Sequence, residues 1–251
     1  MYRENIFEVM EKTGASGMLV VPKNTGLKGY AWQVLKEAGL DLEEAKKIGA
    51  NELSLRGLTV LLRRGEDIPQ IVMDYSGKAK CVLGVTGDDL LDEYRLRNPD
   101  NILQVENTYD WYDPKAKFLR PALSFMSNEG DVPAKNTAEA FETRVAINSK
   151  YEYLSRLFLQ KSPRFNGLNL NFSLKIYSGD LEDTVNSDAN DCCIDTVYTG
   201  KTIEKSYRLK IIEIIRFTDL VVVSPLRKYG PGFLEKLAAE IPKDPIIKRR
   251  K

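Results

Sequence analysis

A glycine flanked by hydroxyl side chains follows a short apolar run near residue 195. The run Cys192–Val197 contains Asp195 and leads into Thr199, Gly200 and Thr202. Gly200 permits a tight turn or the close approach of a ligand, and backbone N–H groups at the start of a following helix can bind an anion. A carboxylate within a buried strand is costly unless it is paired. Two interpretations stay open: a phosphate-binding turn beside a functional carboxylate, or an ordinary turn with a threonine N-cap.

The chain of 251 residues contains no histidine. This excludes His-based triads, imidazole general bases and histidine metal sites. Any chemistry must therefore use carboxylates, lysine, arginine, hydroxyls, backbone groups or the reactivity of the substrate itself.

The overall composition, with 43% hydrophobic and 29% charged residues, is ordinary for a soluble globular protein. Its length suits one large domain or two lobes. The formal net charge of +1 and the pI of about 7.6 give no support for a nucleic-acid-binding protein. The basic C-terminal "KRRK" is interpreted as a solvated tail.

The three cysteines, Cys81, Cys192 and Cys193, all lie in apolar, strand-like runs. Adjacent residues of a strand point to opposite faces, so the pair Cys192 and Cys193 predicts neither a disulfide nor a metal site. The chain does not start like a signal peptide and has no apolar run of membrane-spanning length. These features predict a cytoplasmic protein.

The first hundred residues alternate short apolar runs with amphipathic segments. The pattern predicts a strand at 17–22, a helix at 29–40, a strand at 58–65, a helix at 66–79, a strand at 81–87 and a helix at 88–96. Such β-α repetition is typical of a parallel or mixed sheet covered by helices.

The residue pattern changes after Asn98, where a polar and aromatic crossover at 107–117 begins a second group of elements. The pattern predicts strands at 119–126, 172–179, 192–200 and within 210–225. It predicts a strand and a helix at 144–161, joined by a cap at Asn148 or Ser149. A loop with a short helix is predicted at 127–143, and a last helix at 230–241. Two α/β lobes fit this order. Trp32, Tyr151 and Phe158 are predicted core residues.

Several motifs together resemble the catalytic subunit of ATP phosphoribosyltransferase, which begins histidine biosynthesis. The family signature runs from a Glu through a Gly/Ala-Asp stretch to D-L-V-x-T-G-x-T-L. Glu182 lies thirteen positions before Asp195, as in the signature, and Asp191 keeps the intervening Asp. The positions in register with its final part are Asp195, Thr199, Gly200, Thr202 and Ile203. The segments 20–40, 61–93 and 144–161 resemble other family blocks in the same order.

The resemblance implies an α/β fold of two lobes, like the type II periplasmic binding proteins, with mixed sheets flanked by helices and a cleft between the lobes. Lobe I would comprise residues 1–115 plus 212–251 and hold the nucleotide. Lobe II would comprise residues 116–211 and hold phosphoribosyl pyrophosphate. The implied reaction joins N1 of the adenine of ATP to the anomeric carbon of phosphoribosyl pyrophosphate and releases pyrophosphate, with Mg²⁺ as cofactor.

The resemblance also implies roles for individual residues. Glu182, Asp195 and Arg63 are the expected catalytic residues. Phosphoribosyl pyrophosphate is expected to contact Asp195, Thr199, Gly200, Lys201, Thr202 and Ile203, and the nucleotide is expected to contact Lys23, Gly87 and Asp89. No metal ligands are assigned.

The chain departs from the family pattern at four positions: Gly26 replaces an Arg, Glu152 replaces the Pro of Y-P-x-L, and Asp188 and Asn190 replace the usual Gly and Ala. Few residues follow Pro225, so a short form without a regulatory domain is expected. The family then implies a homo-oligomer working with a separate regulatory subunit that resembles a histidyl-tRNA synthetase. The alternatives are a non-catalytic small-anion-binding protein and an inactive paralogue of the same fold.

Overall fold

The computed structural model describes residues 17–40, 42, 51–55, 58–77, 81–128, 142–163, 165, 171–179, 181–200 and 209–225. They divide into two compact units. The first unit runs up to Asp110 and resumes at Asp219, and the second comprises Trp111–Thr218. The boundaries expected from the sequence lay after residues 115 and 211.

A six-stranded sheet forms the centre of the first unit. Its strands are β1 (Gly17–Pro22), β2 (Glu52–Leu55), β3 (Leu58–Arg63), β4 (Cys81–Gly87), β5 (Gln104–Tyr109) and β11 (Leu220–Ser224). Their order is β2-β3-β1-β4-β11-β5. Strands β3, β1 and β4 are parallel, whereas β2 and β11 are antiparallel to their neighbours. The carboxyl ends of β3, β1 and β4 therefore meet at one edge of the sheet.

Helices cover both faces of this sheet. They are α1 (Thr25–Glu37), α2 (Ile68–Asp74), which a 3₁₀ turn at Gly65–Asp67 precedes, and α3 (Asp88–Arg97). Helix α1 places Trp32 against one face with Leu19, and α2 places Val72 against the other face with Val20. Because both faces are covered, β1 is a continuous apolar run without polar alternation.

The second unit is built on a five-stranded sheet. Its strands are β6 (Ala122–Ser127), β7 (Glu142–Asn148), β8 (Asn171–Tyr177), β9 (Cys192–Val197) and β10 (Lys210–Phe217). Their order is β10-β6-β9-β7-β8. Strands β8, β7 and β9 are parallel, and β6 is antiparallel to both β9 and β10. The carboxyl ends of β7, β8 and β9 therefore share one edge.

Two helices pack on opposite faces of the second sheet. Helix α4 (Glu152–Lys161) follows a 3₁₀ turn at Ser149–Tyr151, and α5 (Glu182–Asn186) follows β8. Phe158 of α4 lies 5.8 Å from Phe125 of β6, measured between ring centroids. On the other face, Val185 of α5 belongs to the core around Cys193.

The structure confirms the predicted β-α alternation and the predicted core positions Trp32 and Tyr151, both buried. Helix α1 begins at Thr25, four residues earlier than predicted, because Asn24 in an extended conformation is its N-cap despite the two glycines that follow. Part of the predicted crossover at 107–117 lies in β5, whose backbone pairs with β11. The predicted helix at 230–241 and most of the predicted loop at 127–143 lie outside the described residues.

Cys81, Cys192 and Cys193 are buried, and none of the three forms a disulfide. Among the residues that the structure describes, no helix is long and apolar enough to cross a membrane.

Candidate active site

The carboxylate of Asp195 lies near the carboxyl end of β9 and is 16% exposed. Its Oδ1 accepts a hydrogen bond from the backbone N–H of Thr196 at 2.7 Å. The side-chain amide of Asn148 donates to both carboxylate oxygens, at 3.2 and 3.1 Å. The ammonium of Lys150 lies 4.0 Å from Oδ1. These partners compensate a charge that would otherwise be costly in a largely buried strand.

Asn148 connects two elements at this edge of the second sheet. It ends β7, and its Oδ1 accepts from the backbone N–H of Lys150 at 3.3 Å, which caps the 3₁₀ turn before α4. The cap at Asn148 that the sequence predicted is thereby confirmed. Since β7 and β9 are parallel, with Ile147 opposite Ile194, the same side chain reaches the neighbouring strand. Asn148 is thus both the cap of the 3₁₀ turn and a hydrogen-bond partner of the Asp195 carboxylate.

Glu182, the other predicted catalytic carboxylate of this unit, is the first residue of α5. Burial raises the pKa of the Cys193 thiol well above its usual range, and the carboxylates of Asp195 and Glu182 raise it further. Cys193 and Asp195 are two positions apart on β9, so both point to the face of the sheet that α5 covers. The oxygens of the Asp195 and Glu182 carboxylates are the kind of ligand that Mg²⁺ prefers.

The turn that follows β9 contains a glycine in a backbone conformation that other residues rarely adopt. Gly200 is buried and has a φ of 70°, in the left-handed region that favours glycine. Thr199 precedes it and is half-buried. Asp195, Thr199 and Gly200 therefore lie at the carboxyl end of β9, and Glu182 begins α5 in the same unit. The predicted substrate contacts Lys201, Thr202 and Ile203 lie outside the described residues.

Tyr198 joins this turn to the segment that enters the second unit. Its hydroxyl donates a short hydrogen bond to Oδ2 of Asp113, and its ring packs against Trp111 with centroids 6.0 Å apart. Burial, followed by the bond to Asp113, raises the pKa of Tyr198 to about 12. The same bond, together with the backbone N–H of Lys115, lowers the pKa of Asp113. The phenol therefore stays a donor and the carboxylate an acceptor throughout the neutral pH range.

In the first unit, Lys23 and Arg63 lie at neighbouring strand ends. Pro22 pairs with Arg63, and the backbone N–H of Lys23 donates to the Arg63 carbonyl at 2.7 Å. The Arg63 guanidinium donates to the carbonyl of Leu62 at 2.8 Å and to that of Asn51 at 3.1 Å. Lys23 is exposed. A cationic pair therefore stands at the carboxyl edge of β1 and β3.

The end of β4 completes the same edge. Gly87 ends this strand and caps α3, and Thr86 donates from its hydroxyl to the Gly65 carbonyl at 2.9 Å. Asp89 is only 2% exposed, and its Oδ1 accepts from the N–H of Leu90 at 2.8 Å. The structure therefore brings together Lys23, Arg63 and Gly87, while the Asp89 carboxylate is enclosed in the unit.

The departures from the family pattern lie within the described residues of both units. Asp188, where the family has Gly, follows the end of α5 with a φ of 56°; Asp tolerates this region better than most residues. Asn190 is buried and donates from Nδ2 to the hydroxyl of Tyr177 at 3.1 Å. Gly26 lies in α1 with no atom within 4 Å of an added Cβ. Lys28 places its ammonium 4.4 Å from the centre of the Trp32 ring.

Sequence reasoning did not identify the polar residues around Asp195. Lys150 lies two residues after β7, and the rule that parallel strands end at the same edge could have linked it and Asn148 to Asp195. No comparable signal marks Asp113, which is far from Tyr198 along the chain and joins it only through the fold.

Comparisons with known proteins agree with the geometry. The family model HisG, ATP phosphoribosyltransferase, matches residues 64–242. An ATP phosphoribosyltransferase of Schizosaccharomyces pombe is 24% identical over 211 residues, which cover 82% of this chain. This chain spans 64% of the length of that relative.

Among solved structures, the ATP phosphoribosyl transferase (HisG:HisZ) complex from Thermotoga maritima superposes with a TM-score of 0.58. The identity is 18%, and the match covers 85% of this chain and 89% of that one. The Escherichia coli periplasmic aliphatic sulphonate binding protein SsuA gives a TM-score of 0.47 at 14% identity, covering 84% of this chain and 65% of that one. The expected fold class, mixed sheets flanked by helices, is confirmed. The chain belongs to the ATP phosphoribosyltransferase family.

Proposed function

We propose that this protein transfers the phosphoribosyl group of phosphoribosyl pyrophosphate to N1 of the adenine of ATP, giving phosphoribosyl-ATP and pyrophosphate, the first step of histidine biosynthesis. Membership of the family supports this reaction. The observation that carries it is the position of Asp195 near the end of β9, just before the turn that contains Thr199 and Gly200. Asn148 and the Thr196 N–H hold its carboxylate there.

The reaction requires positioning and charge stabilisation more than a strong base, because adenine N1 has its own lone pair and pyrophosphate is a good leaving group. A chain without histidine can supply both. In our proposal the backbone of the Thr199–Gly200 turn binds the 5′-phosphate, helped by Lys201, Thr202 and Ile203. Asp195 and Glu182 accept hydrogen bonds from the ribose hydroxyls.

Mg²⁺ is the proposed cofactor. It is usually held by one or two carboxylates together with substrate phosphates, and Asp195 with Glu182 would supply the protein's share of such a donor set. When bound, the cation would neutralise the charge that develops on the departing pyrophosphate.

The carboxyl edge of the first sheet is the proposed nucleotide side. Lys23 is exposed there and can meet a phosphate oxygen, and Gly87 allows close approach to the backbone. We keep Arg63 as a catalytic candidate because a guanidinium that already donates to two carbonyls still has donors for phosphate. Asp89, enclosed and bonded within α3, is the weaker candidate, and it would contribute through the backbone of that helix start.

We further propose that the protein works in the cytoplasm as a homo-oligomer with a separate regulatory subunit. The similar Thermotoga maritima structure is a HisG:HisZ complex, which supports a subunit of that type. The three buried cysteines form no disulfide, which supports a reducing compartment.

An ultraviolet assay for phosphoribosyl-ATP tests the reaction directly. The purified protein is incubated with ATP, phosphoribosyl pyrophosphate and Mg²⁺, with Asp195→Asn as the matched variant. Product formation by wild type that falls sharply in the variant is the expected result. Binding of phosphoribosyl pyrophosphate without product, in the presence of a regulatory subunit as well, would favour the anion-binding protein or the inactive paralogue.

A further inference from the structure

The Thr199–Gly200 turn is contacted by a lysine far from it along the chain. A Cβ added at Gly200 would lie 2.8 Å from Cδ of Lys117 and 3.4 Å from its Cβ and Cγ. The aliphatic stem of Lys117 therefore runs directly over the Gly200 backbone. The left-handed φ of 70° favours glycine at position 200, and the Lys117 stem packs against the face on which a side chain would stand.

The main chain of Lys117 is fixed relative to the turn. Its N–H donates to the Tyr198 carbonyl at 2.8 Å. The segment Trp111–Lys117, which we call the anchoring segment, also holds Tyr198 by the ring contact of Trp111 and the carboxylate of Asp113. Three separate contacts thus join the anchoring segment to Tyr198, so the backbone of Lys117 is held beside the turn.

The charge of Lys117 is carried close to the turn. Lys117 is exposed, and a lysine whose stem is packed commonly extends its ammonium toward solvent. Since Nζ is two bonds beyond Cδ, it lies within roughly 5 Å of the place where Gly200 would carry a side chain. This is the distance range in which an ammonium and a phosphate bound to the turn's N–H groups would attract each other.

The other lysine at this edge is already committed. The ammonium of Lys150 lies 4.0 Å from Asp195 and 5.0 Å from the centre of the Tyr151 ring, so its charge compensates the carboxylate. A second ammonium would stabilise a dianionic phosphate on the turn further, and the stem of Lys117 places its ammonium near enough to do so.

We propose that Lys117 is a further substrate-binding residue, whose ammonium contacts the 5′-phosphate held by the Thr199–Gly200 turn. This inference rests on the proposed function. It extends the phosphate site from the signature loop to a residue of the anchoring segment, which no motif in the sequence marks.

The test compares Lys117→Gln, which removes the charge and keeps most of the stem, with Lys117→Arg, which keeps the charge. Lys115→Gln is the matched control, because it removes the same charge from an exposed position of the same segment. Calorimetric titrations use phosphoribosyl pyrophosphate, ribose 5-phosphate and ATP. We expect Lys117→Gln to weaken the first two ligands about tenfold and to leave ATP unchanged. Lys117→Arg should stay within about threefold of wild type, and Lys115→Gln within about twofold.

The outcomes separate the inference from the function on which it rests. If wild type fails to bind phosphoribosyl pyrophosphate, the proposed function falls and the inference with it. If wild type binds and Lys117→Gln binds equally well, only the inference is overturned. Equal weakening by the two Gln variants would show a general field effect and would also overturn it, as would weakening confined to phosphoribosyl pyrophosphate with ribose 5-phosphate unaffected. Should Lys117→Gln unfold, Lys117→Arg decides: a tenfold loss despite the retained charge contradicts a phosphate contact, and near-normal affinity supports it.

Discussion

The side-chain amide of Asn148 bridges two parallel strands by donating to both oxygens of Asp195, at 3.2 and 3.1 Å. The amide cannot rotate freely, since its own oxygen accepts from the N–H of Lys150. Asn148 therefore presents a neutral donor in a fixed orientation to the carboxylate. This arrangement satisfies Asp195 without pairing it permanently with a guanidinium, which leaves its remaining lone pairs available to a ligand.

Replacing that donor by an acid should be more damaging than removing it. Asn148→Asp would set two carboxylates within hydrogen-bonding distance, which raises the pKa of one of them. We expect affinity for phosphoribosyl pyrophosphate, expressed relative to wild type, to fall at least tenfold at pH 8 and to recover toward pH 5.5, where a shared proton restores a hydrogen bond. Asn148→Ala, which adds no charge, should give a smaller and pH-independent loss. Titration of both variants at the two pH values checks this, and equal losses by both at each pH would contradict it.

Direct changes at the turn should weaken phosphoribosyl pyrophosphate binding without unfolding the protein. Asp195→Asn and Thr202→Ala each remove a hydrogen bond to a charged group or ligand, which costs on the order of 1.5–3 kcal/mol. The exposed Asp183 of α5 provides the control Asp183→Asn, with the same loss of charge. Calorimetric titration measures the affinities and thermal denaturation the folding. Unchanged affinity in both site variants would remove the turn from the site.

Asp191 should act on stability in a pH-dependent manner. The Arg144 guanidinium bonds Asp191 through Nη2 at 2.7 Å and Nε at 3.2 Å, and this lowers the Asp191 pKa. Because its folded-state pKa is lowered, the ionised Asp191 stabilises the protein at pH values above the unfolded-state pKa near 3.9. This stabilisation is lost as the pH falls through the folded-state pKa.

Asp191→Asn should accordingly reduce the urea midpoint at pH 7, and its difference from wild type should shrink once the pH is below the lowered Asp191 pKa. Urea denaturation at a series of pH values gives the answer, with Asp183→Asn again as the exposed control. A deficit that stays constant down to the lowest pH would show that Asp191 stabilises by shape and not by charge.

The sequence predicted most of the elements because their signals are local. The apolar runs of β1 and β4 and the Pro69 and Gly77 flanks of α2 depend only on neighbouring residues. Strands β2 and β5 were not predicted, since their pairing with β3 and β11 is what makes them strands. Propensity alone carries little information at such positions.

The candidate site shows the same division between local and long-range information. The turn and its carboxylate could be found because Asp195, Thr199 and Gly200 lie in one motif. The contacts of Lys117 with Gly200 and of Asp113 with Tyr198 span more than eighty positions, and only the chain's path through the second sheet creates them. Residue type and spacing gave no means of pairing them in advance.

Replacing Asp188 with the glycine that the family has at this position should stabilise the folded protein. Asp188 has a φ of 56° just after α5, a conformation that disfavours side chains. Asp188→Gly should stabilise the fold by about 0.5–1 kcal/mol. Ser187→Gly is the control, because Ser187 has a φ of −87° and gains nothing from glycine. Urea denaturation compares the two, and stabilisation by Ser187→Gly of equal size would refute the conformational explanation.

Restoring the family's arginine at Gly26 should strengthen the nucleotide side of the site. Gly26 is exposed in the first turn of α1, an added Cβ meets no atom within 4 Å, and its φ is not in the left-handed region, so arginine fits without backbone strain. Lys28 is not an equivalent substitute, since its ammonium lies over the Trp32 ring and offers only a point charge.

A guanidinium at Gly26 can contact phosphate oxygens in a bidentate manner, which should contribute about 1–2 kcal/mol, or near tenfold in affinity for ATP. Gly26→Ala is the control, because it gains the same helix propensity of roughly 1 kcal/mol without the cation. The measurement is the Michaelis constant for ATP in wild type and both variants, with that for phosphoribosyl pyrophosphate as internal reference. A lower ATP constant in Gly26→Arg alone supports a nucleotide contact at this position. If Gly26→Ala lowers it equally, the gain comes from a better-formed helix, and if both substrate constants change together, the family's arginine did not act from this position.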